Sequence, residues 1–154
     1  MEKQELYLKT IFCCVACDGE IAPQEVKLIR KLCTESKLFE GLDVESYINH
    51  WIADINKKGH NFLNSFLEGL SDIDISDEEQ LKLVDLAILS IEADSKIEYS
   101  EIKFFKKIRS KLSVSDEQIL AQHPDKGSFL LPDINVLDDP VWNENTKFED
   151  ISLK

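Results

Sequence analysis

The sequence predicts an all-α protein of about seven helices. Three observations carry this. Apolar residues recur at three- and four-residue spacings as far as about residue 123. No stretch in that range alternates as a strand does. Two capping boxes, Ser76 to Glu79 and Ser115 to Gln118, open helices without ambiguity.

Taken in order, Leu8, Ile11, Phe12 and Val15 mark a first helix over 3–17, which Asp18-Gly19 breaks. Pro23 fits the first position of a second helix, with Val26, Ile29, Leu32 and Cys33 as its inner stripe. Asp43 can cap a third helix that Gly59 ends, its stripe formed by Val44, Tyr47, Ile48, Trp51, Ile52 and Ile55. Phe62, Leu63, Phe66, Leu67 and Leu70 make a short fourth. The first capping box opens a fifth, carried to about residue 93 by Leu81, Val84, Ala87, Ile88 and Ile91. Ile102, Phe105, Ile108 and Leu112 define a sixth over 99–112, and the second box opens a short seventh. From residue 124 the chain changes character. Three of its four prolines stand at 124, 132 and 140, yet Phe129, Ile134, Val141 and Trp142 keep it apolar. The reading is a helical domain over 1–123 and an irregular tail over 124–154, partly packed on the domain and fraying after about 143.

With 154 residues, the chain can bury enough surface to fold without a metal or a disulfide. Thirty acidic against 18 basic residues give a net charge of −12. That field opposes nucleic acid and anionic membranes, and favours cations and basic protein surfaces. The longest apolar run, 11–17, is seven residues, far below the roughly 20 that span a bilayer. Cys14-Val15-Ala16-Cys17 superficially suits a lipoprotein signal, but Glu2 and Glu5 stand where positive charge belongs. The expected place is the cytoplasm.

Compared with itself, the chain matches at an offset of 76. Residues 17–32 align with 93–108, and five of the sixteen positions are identical: Asp18/Asp94, Ile21/Ile97, Glu25/Glu101, Lys27/Lys103 and Lys31/Lys107. The chain therefore reads as two helix–turn–helix units joined by a helical pair. Each unit is an apolar helix, an acidic turn, and a second helix whose third residue is Glu. Two readings of the acidic residues stay open. Asp18 and Asp94 can brace their turns, while Glu25 and Glu101 sit where the helix dipole favours negative charge. Alternatively the four converge and offer oxygen ligands to a hard divalent cation. An EF-hand is excluded, since it needs twelve residues and 18–25 gives eight.

The repeated pattern Cys17-Asp18-Gly19-Glu20-Ile21-Ala22-Pro23-Gln24-Glu25 and Ala93-Asp94-Ser95-Lys96-Ile97-Glu98-Tyr99-Ser100-Glu101 resembles the TerB-like family. That group spans tellurite-resistance proteins and a helical domain of DjlA-type co-chaperones. The resemblance covers about residues 3–120. It implies an all-α fold of about seven helices and an acidic cluster, Asp18, Glu25, Asp94 and Glu101, that takes a divalent cation such as Ca, Mg or Mn. It also implies a non-catalytic role in a stress-response system with membrane-bound protein partners. Ser95 in place of glycine, and Cys17 in place of alanine, depart from the pattern.

The competing site is cysteine-based. Cys13 and Cys17 share a helical face, Cys14 and Cys17 another, and Cys33 lies on the next apolar stripe. As thiolates they would suit a soft metal or tellurite reduction. As thiols in a reducing compartment they are small buried hydrophobes. His50, His60 and His123 are scattered, and no nucleophile–base arrangement or phosphate loop is present. The acidic run at Asp72, Asp74, Asp77, Glu78 and Glu79 reads as a solvated loop and helix start. Lys103, Lys106, Lys107 and Lys111 read as the wet face of the sixth helix.

Overall fold

The first helix, α1 (Lys3–Ala16), is apolar nearly all round, and such a helix belongs inside a protein rather than on it. It is the centre of the molecule: ten of the eleven side chains from Leu6 to Ala16 are buried, Lys9 being the exception. The computed structural model describes residues 3–17, 19, 21, 23–35, 37–92, 99–125, 148 and 151. Within them lie seven α-helices and no strand: α1, α2 (Pro23–Glu35), α3 (Val44–Lys58), α4 (Asn61–Ser71), α5 (Asp77–Glu92), α6 (Tyr99–Ser110) and α7 (Asp116–Gln122). A 3-10 turn, Lys37–Phe39, follows α2.

The ends of the helices follow local chemistry. Asp43 accepts the Ser46 N–H at 3.2 Å and starts α3. Gly59 ends it with φ +62°, a left-handed conformation that glycine adopts without steric cost. Ser76 and Glu79 exchange reciprocal bonds of 3.2 and 3.0 Å at the start of α5. Ser115 and Gln118 do the same for α7. Gly19, at φ +91°, makes the turn after α1, its N–H donating to the Ala16 carbonyl at 3.0 Å.

α1 packs chiefly against α5, the second mostly buried helix. Both carry one fully buried hydroxyl, and both satisfy it internally. Thr10 donates to the Leu6 carbonyl at 2.9 Å, and Ser90 to the Leu86 carbonyl at 2.7 Å. Around this pair, Phe12 sits edge-on to Phe62 at 5.7 Å and tilted to Trp51 at 5.8 Å, tying α1 to α3 and α4. Lys9 lays its ammonium over Phe62 at 5.1 Å. Phe66 and Phe104 stack at 6.4 Å and join α4 to α6.

Three expectations need correction. The inner stripe of α2 is not fully internal: Ile29 is buried, but Val26, Leu32 and Cys33 are half-buried, and Glu25 is buried in their company. The wet face of α6 is less wet than its charge suggests, with Lys103, Lys106 and Lys107 half-buried and Lys111 exposed. Long lysine stems can cover apolar surface while their ammonium groups stay in water. Most of the tail lies outside the described residues. The sequence reading lets the chain fray beyond 143; at Phe148 and Ile151 it is instead buried and hydrogen-bonded to α3.

Candidate functional site

Glu25 is the third residue of α2, and Glu101 the third residue of α6. Carboxylates in a first helical turn face the positive end of the helix dipole. In most proteins such residues stay in water. Here both are 4% exposed. Burial of a carboxylate is costly, so two equivalent burials mark a place the fold has built around negative charge.

Both carboxylates bear on one residue of α1. Burial pushes the Cys14 thiol well above its ordinary value, and neighbouring Cys13, Glu101 and Glu25 push it further. Both glutamates therefore act on one thiol, although 76 residues of sequence separate them. Asp18 and Asp94, the other two candidate ligands, lie outside the described residues. Among the described residues, no group of three or more His, Cys, Asp or Glu side chains is placed to hold a metal ion.

The cysteines form no exposed thiolate centre. Cys13, Cys14 and Cys17 are buried and Cys33 is half-buried. Burial raises the Cys13 and Cys33 thiols as it does that of Cys14. Cys17 spends its S–H on the Cys14 carbonyl at 3.1 Å. Thiols held protonated are poor nucleophiles and poor metal ligands.

Sequence reasoning missed two features. His123 ends α7 and contacts Asp85 of α5 through Nε2, although nothing in their spacing of 38 residues announces it. Nearby, Tyr7, Glu78, Glu79, Lys82 and Gln122 help to line a cleft of about 380 Å³. Glu79, one of the lining residues, forms a 2.6 Å ion pair with Lys3. The second missed feature is the hold of Asn49 and Asn56 on the distal chain. No described helix is long and apolar enough to cross a membrane. Comparison with family models, with characterised proteins and with solved structures finds no match.

Proposed function

We propose that the chain is a non-catalytic helical binding protein of the TerB-like kind, serving a stress response such as tellurite resistance. In this reading two helix–turn–helix units, over 17–32 and 93–108, place equivalent carboxylates at one end of the bundle. That end holds a divalent cation and docks a protein partner belonging to a membrane-associated complex. The observation that carries the reading is the burial of Glu25 and Glu101 in matching first turns, both acting on Cys14.

The donor set suits a hard cation, since carboxylate oxygens prefer such ions. Magnesium and manganese are content with one or two carboxylates and several waters, so Glu25 and Glu101 are sufficient for them. Calcium takes six to eight oxygens and would need Asp18 and Asp94 as well. Such an ion would supply charge neutralisation and a fixed spacing between α2 and α6, not catalysis. The net charge of −12 favours a partner with a basic surface, bound more weakly as salt rises. The alternative, a cysteine-based redox or soft-metal protein, draws no support from thiols that burial holds protonated.

Thermal unfolding tests the proposal. A cation at a hundred times its dissociation constant stabilises by about 2.7 kcal/mol. At roughly 2–4 °C per kcal/mol for a chain of this size, Tm should rise by about 5–11 °C over the chelated protein. Glu25→Gln combined with Glu101→Gln should remove that rise and keep the helical circular dichroism. A wild type whose Tm responds to none of Mg, Mn and Ca rejects the cation site.

A further inference from the structure

Two asparagines of α3 hold a piece of chain from the far end of the sequence. The Asn49 carboxamide donates from Nδ2 to the Ile151 carbonyl at 3.1 Å, and its Oδ1 accepts the Ile151 N–H at 2.8 Å. Asn56 repeats the arrangement on Phe148, at 2.9 and 2.7 Å. Each carboxamide satisfies both main-chain polar groups of one residue and reads nothing of its side chain. The side chains point the other way in their chemistry. Phe148 and Ile151 are 7% and 8% exposed and join the apolar cluster that contains Ile48, Ile52 and Ile55 of α3.

The spacing fits an extended ligand. Asn49 and Asn56 are two helical turns apart, about 10.5 Å along the axis. Three residues of extended chain cover about 10 Å, which is the separation of Phe148 from Ile151 in sequence. The earlier asparagine holds the later residue, so the bound direction opposes that of α3. Ile52 lies between the two asparagines on the same helical face, three residues from one and four from the other. Main-chain bonds for affinity and two apolar sockets for selectivity are the elements by which proteins bind extended peptides. Such a clamp does not distinguish which chain supplies the backbone. Phe148 and Ile151 belong to no helix, so their departure breaks no helical hydrogen bond.

We infer that the face of α3 bearing Asn49 and Asn56 is a peptide-binding groove for an extended segment with two large apolar residues three apart, and that Phe148 and Ile151 fill it in cis as a resident ligand which a partner segment of that pattern displaces. The groove is separate from the Glu25–Glu101 pair and does not depend on cation binding there. A tethered ligand enjoys a high effective concentration, so the free groove is seen only when the resident is weakened.

The test uses the full chain and a fluorescein-labelled peptide with the sequence of residues 146–154, followed by fluorescence anisotropy. Phe148→Ala with Ile151→Ala should bind the peptide at least ten-fold more tightly than wild type. A peptide carrying the same two alanines should not bind. Adding Asn49→Ala and Asn56→Ala should abolish binding while the helical spectrum stays. A folded Phe148→Ala/Ile151→Ala chain that ignores the peptide overturns the inference, as does unchanged binding after loss of both asparagines. Should the double-alanine chain not fold, hydrogen exchange of the wild type with excess unlabelled peptide decides. Faster exchange at the Phe148 and Ile151 amides supports displacement, and unchanged exchange overturns it. Wild type that dimerises through the same asparagines would assign the groove to a second copy and overturn occupancy in cis.

Discussion

Replacing Gln80 by Leu should be among the most damaging single changes in the molecule, despite the polarity of the residue. Gln80 lies in the first turns of α5 and is 7% exposed. Its Oε1 accepts the Ser113 N–H at 2.8 Å and the Val114 N–H at 3.1 Å. Its Nε2 donates to the Ile75 carbonyl at 3.2 Å and to the Ser113 hydroxyl at 3.0 Å. One side chain thus satisfies the connection between α6 and α7, just before Ser115 caps α7. Leucine fills similar space but leaves two backbone N–H groups without that acceptor, one of them, at Val114, in a fully buried setting. An orphaned buried donor costs about 1–3 kcal/mol. Counting the buried Val114 donor at mid-range, and the donor of the exposed Ser113 as satisfied by water, gives about 2 kcal/mol, or a Tm fall of roughly 4–8 °C. Thermal unfolding by circular dichroism measures this directly. Ser113→Ala is the control, since it removes a hydroxyl and keeps both N–H bonds; it should cost about 1 kcal/mol or less. A Gln80→Leu fall below about 2 °C, or one equal to that of Ser113→Ala, would refute the reasoning.

Two further outcomes follow from protonation states. The hydrogen bond from Lys3, with the Ser76 N–H behind it, lowers the Glu79 carboxyl from the ordinary 4.5 to about 2. A depressed folded-state value stabilises the fold above 4.5, and that contribution is lost as pH falls through about 2. Glu79→Gln keeps the capping geometry but not the charge, so its Tm deficit against wild type should be full above pH 4.5 and close near pH 2; a deficit that ignores pH contradicts the assignment. For the thiols, maleimide at mildly alkaline pH should label Cys33 first and reach Cys13 and Cys14 only in denaturant, as mass spectrometry of the digested protein will show; comparable native rates at all three sites would contradict their burial.

The helix boundaries were legible because caps are local. Asp43, Gly59, Ser76 with Glu79, and Ser115 with Gln118 each act within a few residues of the end they set. Burial within a helix is not local, and there the sequence misleads. By pattern, Val26, Leu32 and Cys33 belong inside, and Glu25 has only its place in a first helical turn to mark it. What decides is what the rest of the fold sets against them, and it encloses Glu25 while leaving the other three at the margin. Leu89 is likewise apolar by type and 45% exposed by position. The hold of Asn49 and Asn56 on Ile151 and Phe148 bridges 102 and 92 residues. An asparagine in mid-helix has many surface reasons to be there, and none of them names a distant backbone as its partner.

The acidic and the thiol readings of this protein compete for one place. The carboxylates of Glu25 and Glu101, which the proposed function gives to a hard cation, also add negative potential at Cys14, and negative potential keeps a thiol neutral. Features that favour the first reading therefore weaken the second at that residue. Neutralising Glu25 and Glu101, by a cation or by substitution, would remove their part of the push on Cys14. It would not free the thiolate, because burial is the larger cause and remains when the charges are gone. A soft-metal or redox role for Cys14 would require α1 to leave the centre of the bundle, where Phe12 joins it to α3 and α4 and its long face packs on α5. That is a loss of the fold rather than a step within it, so the proposed function rests on the carboxylates and not on the cysteines.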